Sequence, residues 1–325
     1  NVVRFERDGI VGGGSIAVRA RNLEMSGGSI FRAGIESGMG APGVQAGDIV
    51  VDATGTTALS EGSLLANLVL EQAIGNGGNV DVTTGSLQVN SGAALSATTR
   101  GQGNGGLVTI QAADTVFFDG GDAFSQVASG AVGNAQGIEI SARELSVSNG
   151  GQLSASTLGQ GDVGKISIRA TDTVSFDGAS SDGVFVSGAL SQVEAGAVGN
   201  TQGIEITTGT LSVTNRGQLG TNIRGQGNSG RISIVADTVT FNGGDALGQV
   251  LATGVGNSGG IDIVADSLFL NNSSDITAQD VAVLLGQDFC SRQRDSQFIV
   301  TGRGGIPATP NDMASPMTVW QDWSL

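Results

Sequence analysis

The chain repeats itself. From Gly137 to Gly178 it reads GIEI, ELSVSNG, GQLSAST, GQGDVGKISI and TDTVSFDG. The same order returns from Gly203 as GIEI, TLSVTNRG, GQLGTN, GQGNSGRISI and ADTVTFNG, and stands earlier, from Asn79, as NVDV, SLQVNSG, AALSATT, GQGNGGLVTI and ADTVFFDG. A shorter copy, GIDIVADSLFLNNSSDITAQ, begins at Gly260. A unit of this size cannot bury its own apolar face, so the copies must stack on one another.

Short alternating runs open at Ile16, Ile49, Val80, Val108, Ile138, Ile166, Ile204, Ile232 and Ile261, separated by 33, 31, 28, 30, 28, 38, 28 and 29 residues. About 30 residues per coil suits three short strands and three turns. Period-2 alternation sends Ile138 and Ile140 one way and Glu139 the other. Leu145 with Val147, and Leu153 with Ala155, continue the inward face. The expected fold is all-β: a right-handed parallel β-helix, a solenoid of about nine coils, roughly 40 Å long at about 4.8 Å per rung. Nothing between the strands has helical period, which excludes a doubly wound α/β fold. The expected organisation is coils over residues 1–280 and a cap and extended tail over 281–325. The chain opens on repeat-like material without a leader, so it reads as part of a longer precursor.

Composition narrows the class. There are 55 Gly but no G-X-Y period, so collagen is excluded. The net charge of −15 argues against nucleic acid or an anionic membrane as partner. Insertion into a membrane is not expected either. The longest apolar run, Leu64 to Leu70, is interrupted by Asn67, and the alternating runs are too short for membrane strands. One Cys, Cys290, makes no internal disulfide.

The GQGN and GQGD segments at Gly101, Gly159 and Gly225, and Gly-Asn at Asn76, Asn134, Asn200 and Asn257, mark corners, where positive φ is tolerated. They lack the Lys-Ser/Thr and helix of a phosphate loop. The outward positions of the first strand are Ala17, Val50, Asp81, Thr109, Glu139, Ser167, Glu205, Ser233 and Asp262. From Asp81 onward acids alternate with small neutral residues, which keeps like charges two rungs apart. Such single carboxylates do not supply the oxygens calcium prefers, so no metal and no cofactor is expected.

DTVFF, DTVSF and DTVTF place Val116 with Phe118, Val174 with Phe176 and Val239 with Phe241 inward, and Phe117 outward. After them, Gly120 to Gly137, Gly178 to Gly203 and Gly243 to Gly259 read as long loops projecting from one side, and Ala53 to Gly78 as another interruption. Phe117 and the loops Gly120 to Gly137 and Gly178 to Gly203 are the candidate surface for a glycan or other ligand. Val281 to Phe289 reads as the cover of the last coil, with Trp320 and Trp323 anchoring the tail.

Catalytic chemistry is sparse. Without His there is no Ser-His-Asp or Cys-His arrangement. If the chain were a polysaccharide-active hydrolase or lyase, Asp119 with Asp122, and Asp177 with Asp182, would be its carboxylate pairs. Asp119 and Asp177 recur at one repeat position, whose third copy is Asn242, and Asp114, Asp172 and Asp237 recur at another. Ladders of this kind read as structural, and the chain reads as non-catalytic. No Thr ladder suits an ice-binding face.

The succession GNGGNVDV, LSVSNGGQLSAST, GQGDVGKISI, with the ending CSRQRDSQFIVTGRGGIP and a late VWQD, resembles the filamentous-haemagglutinin-like exoproteins of two-partner secretion, of the type found in cyanobacteria. The resemblance spans almost the whole chain, as the C-terminal portion of such a protein; the family's N-terminal secretion domain is not visible. It implies a right-handed β-helix, export of the precursor through an outer-membrane partner, and an adhesive or scaffolding role, secreted or on the outer face of a Gram-negative-type envelope.

Overall fold

The computed structural model describes residues 2–6, 14–280 and 298–301. Every regular element among them is a β-strand. Parallel strands stack as a solenoid of about nine coils.

The first strands form one unbroken column. Ile16, Ile49, Val80, Val108, Ile138, Ile166, Ile204, Ile232 and Ile261 are each paired in parallel with the next. The second strands carry Leu23, Thr57, Leu87, Val116, Leu145, Val174, Leu211, Val239 and Leu268 on one column. The third strands, from Ile30–Ile35 in coil 1 to Ile276–Asp280 in coil 9, form a separate nine-stranded sheet. Val2–Glu6 is no further coil: it pairs antiparallel with Ser15–Ala20. Phe298–Thr301 adds a parallel rung after Ile261. The expected cap Val281 to Phe289, Cys290 and the tail tryptophans Trp320 and Trp323 lie outside the described residues.

Two expectations need correction. From coil 5 on, the first two strands are one bent strand, as in Gly137–Ser148 and Ile166–Asp177. Pairing carries on around the corner, with register shifts between Ala142 and Glu144 and between Arg169 and Thr173. A bulge there bends the ribbon without a turn. Second, most of the expected loops are wall. Gly120 to Gly137 contains the third strand Asp122–Phe124 and single rungs at Val127, Val132 and Ala135, each paired with both neighbouring coils or one of them. Ala53 to Gly78 is likewise a regular coil with strands Thr56–Leu59, Leu64–Val69 and Ile74–Asn76. Gly243 to Gly259 holds Asp245–Val250 and the Val255 rung.

The interior follows the alternation. Ile138, Leu145, Val147 and Leu153 are fully buried or within 1% of it. Phe118, Phe176 and Phe241 are buried on one column but do not touch as a pure stack. They alternate with Val147 and Val213 in the intervening coils. Large over small lets successive rungs interdigitate at native density. Burial of each such side chain contributes about 1.5–3 kcal/mol. Asn67, which interrupts the apolar run, is buried with its partners supplied. Its amide donates to the Gly47 and Asn79 carbonyls, and its oxygen accepts the Gly78 N–H. Such pairing makes the buried amide tolerable.

Candidate functional site

Asp119 and Asp177 lie on one column, two coils apart, with Ser148 between them. Each clamps the next turn. Asp119 Oδ1 accepts from Ser148 Oγ at 3.2 Å and from the Asn149 amide. Asp177 Oδ1 accepts from Thr214 Oγ1 at 2.5 Å and Asn215 Nδ2 at 2.8 Å. Asn149 and Asn215 have φ of 53° and 50°, the left-handed region that Asn tolerates. In the third copy Asn242 Oδ1 accepts from Asn272 Nδ2 in the same way. An amide oxygen does this work as well as a carboxylate, which accounts for the substitution within the repeat.

Asp122 and Asp245 likewise share one position, four coils apart. Asp122 Oδ1 accepts the Gln152 N–H and Asp245 Oδ1 the Asp275 N–H, each at 2.9 Å. Burial pushes the Asp122 carboxyl up to about 6, and the bond from Gln152 only partly offsets this. Asp182 shares no hydrogen-bond partner with Asp177. It sits in an excursion of the chain, where Ser180 Oγ at 2.5 Å and the Val184 N–H at 3.0 Å hold its carboxyl below the usual range.

The Asp114 and Asp172 position is also structural. Arg143, from the coil between, donates to Asp114 at 2.7 Å, to Asp172 at 2.9 Å and to Glu144 at 2.5 Å. Two of the alternating outward acids, Glu205 and Asp262, gain cations from the coils beside them. Lys165 lies 2.5 Å and Arg169 3.6 Å from Glu205, and Arg231 lies 3.3 Å from Asp262. Lys165 chiefly holds the Glu205 carboxyl low. Among the described residues no group of three or more His, Cys, Asp or Glu is arranged to hold a metal.

Phe117 faces out and is 37% exposed. Its rung neighbours are Gln88 and Ser146, so the aromatic surface does not continue along that column. Within Gly178 to Gly203 only the first part leaves the wall. Gly188–Leu190 is a third strand, and Val193, Val198 and Thr201 are rungs. The excursion spans residues 179–186, an insertion before Ser187, which stands where coil 4 has Gly121. Ala179 and Val186 close it as an antiparallel bridge.

Two side-chain columns on the outer side of the wall were not legible as such in the sequence. On the third sheet, outward Phe124, Leu190 and Leu247 occupy even coils, with Ser96, Ser154 and Gly220 between them. Leu190, Ser154 and Ser156 are nonetheless buried, and the Ser154 and Ser156 hydroxyls bond each other at 3.1 Å. The alternation of F-x-Q or L-x-Q with S-x-S or S-x-T was the available signal.

The second column is an amide ladder. The side-chain oxygens of Asn76, Asn104, Asn134, Asp162, Asn200 and Asn228 each accept the backbone N–H of the next member, ending at Asn257, over 2.7–3.0 Å. Beside it run Gly residues packed so closely that a Cβ on Gly161 would lie 1.7 Å from the Gly133 oxygen. Outside these lie Gln102, Val132, Gln160, Val198, Gln226 and Val255, paired rung to rung. Coils 4–7 leave a shallow trough of about 440 Å³ there, lined by residues including Gln160, Gly161, Asp162, Val198, Gly199 and Asn200.

No family profile, no curated protein and no solved structure matches the chain.

Proposed function

We propose that this chain is a secreted or cell-surface β-helical rod, a non-catalytic adhesin or extracellular scaffold, and the C-terminal portion of a filamentous-haemagglutinin-like exoprotein exported by two-partner secretion. The resemblance of its ordered repeats and TGRGGIP ending supports the family reading. One observation carries the functional reading. The carboxylates that a hydrolase or lyase would need are spent on inter-coil clamps at Asp119, Asp122 and Asp177. The molecule works by display: a stiff hydrogen-bonded wall holds periodic outer surfaces away from the cell, and repeated weak contacts gain avidity.

The test is surface exposure. Antibody raised against coils 4–7 should label intact producing cells or recover the chain from the medium. Removal of the outer-membrane partner should abolish both. A chain found only after lysis contradicts the reading.

A second reading rests on Asp122. A carboxyl near 6 is poised for general-acid chemistry, as polysaccharide hydrolysis requires. Asp122 has no carboxylate partner on its own rungs, whose neighbours are Ala94 and Gln152.

A further inference from the structure

The excursion at residues 179–186 is not needed to close the wall, which resumes at buried Ser187, whose Oγ accepts the Gly150 N–H and whose carbonyl accepts the Gln218 N–H, each at 2.9 Å. Coils 4 and 8 pass from second to third strand through two glycines alone, Gly120–Gly121 and Gly243–Gly244. Yet the excursion is braced. Ser180 N–H donates to the Phe185 carbonyl at 2.7 Å, Phe185 N–H to Ser180 Oγ at 2.9 Å, and Asp182 caps Val184. Arg216 ties it to the next coil through the Gly183 carbonyl at 3.1 Å. At its tip Val184 is 67% and Phe185 54% exposed. Adjacent large apolar side chains held out on a braced loop are a contact point rather than a filler.

The chain also carries a hollow. The trough of coils 4–7 lies on the segment that leads into the next first strand, a different corner from the excursion. Its floor is backbone of Gly161, Gly199 and Gly227, its apolar element is Val198, 47% exposed, and its one anion is Asp162. The knob brings the exposed cation Arg216 at its base.

We propose that the knob of Val184 and Phe185 docks into the Val198 trough of a second copy of this chain, with Arg216 facing Asp162. Knob and hollow are different surfaces, so the contact is heterologous and does not close on itself. Such contacts propagate as open filaments. The contact area is small, well below the roughly 1,200 Å² of a stable complex, so each junction is weak and the −15 charge of each chain opposes it. This inference does not depend on a glycan ligand.

The experiment is sedimentation velocity of the whole chain across a concentration series, in about 0.5 M salt to screen the repulsion. Concentration-dependent growth beyond a dimer is expected. The double variant Val184→Ser/Phe185→Ser and the variant Val198→Lys each change outward positions, and each should weaken association about tenfold or more. Deletion of 179–186, which restores the short turn of coil 4, is a second knob-less form should the serine variant misfold. Mixed together, the knob-less and trough-less variants keep one intact knob and one intact trough and should stop at a 1:1 dimer. A wild-type chain that stays monomeric, association untouched by either variant, or a mixture that remains monomeric while the wild type grows would each overturn the proposal.

Discussion

Asp162 Oδ1 accepts two hydrogen bonds from Asn200, from its backbone N–H at 2.7 Å and its amide at 3.0 Å. It is the one carboxylate in a ladder otherwise built of asparagines from Asn76 to Asn257. An Asn at 162 would accept from Asn200 equally well and would add a donor toward Asn134. Asp162→Asn is therefore expected to raise stability by about 0.5–1 kcal/mol, and Asn200→Ala to lower it by about 1 kcal/mol. Denaturant midpoints of the two variants check this. A destabilised Asp162→Asn would show that the carboxylate itself is required.

The glycines beside that ladder are required for space. A Cβ at Gly161, where φ is 142°, would collide with backbone of the previous coil, whereas one at Gly130, φ 79°, meets nothing within 4 Å. Gly161→Ala should cost on the order of 4 kcal/mol. Gly130→Ala should cost only the left-handed penalty of about 1–2 kcal/mol. Equal melting temperatures for the two variants would contradict the rung spacing.

The inward register makes an asymmetric prediction along one strand. Ile140 is 3% exposed and Glu139 points outward. Ile140→Asp places an unpaired charge in the core and should cost more than about 4 kcal/mol or prevent folding. Glu139→Ala should change stability by less than about 0.5 kcal/mol. Thermal melts of both variants decide it.

Asp122 predicts a pH effect. Its folded pKa of about 6 lies above the ordinary 3.8. Between these values the folded chain holds the proton more tightly than the unfolded one, so Asp122 withdraws stability as pH rises from about 4 to 6, with no further change above. Asp122→Asn removes that loss while keeping an acceptor for Gln152. The variant should melt like the wild type near pH 4 and increasingly above it up to about pH 6. Parallel curves would show that burial does not govern this carboxyl.

The columns that were legible in the sequence are those with period-2 alternation. All nine first-strand positions, the outward acids and the inward Val116, Phe118, Val174 and Phe176 stand in the expected register. What escaped lacks that signature. Gln102, Val132 and Val198 are rungs one residue long, each followed at once by a glycine, so they read as loop. The corner at Ala142 to Glu144 carries no Gly or Pro to announce it, because it bends through a bulge rather than a turn. Gly-Asn pairs were visible in odd and even coils separately. Their union in one ladder depends on backbone contacts between residues about 30 apart, which no local pattern records. The candidate carboxylates were visible as residue types, but their clamp roles depend on the turn of the next coil.

Incubation of the chain with a panel of neutral and acidic polysaccharides, scoring retention and new chain ends on the same samples, tests the central claim that the rod displays rather than catalyses. The account predicts retention on at least one polysaccharide with no new chain ends. Chain ends that accumulate with turnover, and that disappear in Asp122→Asn, would contradict it.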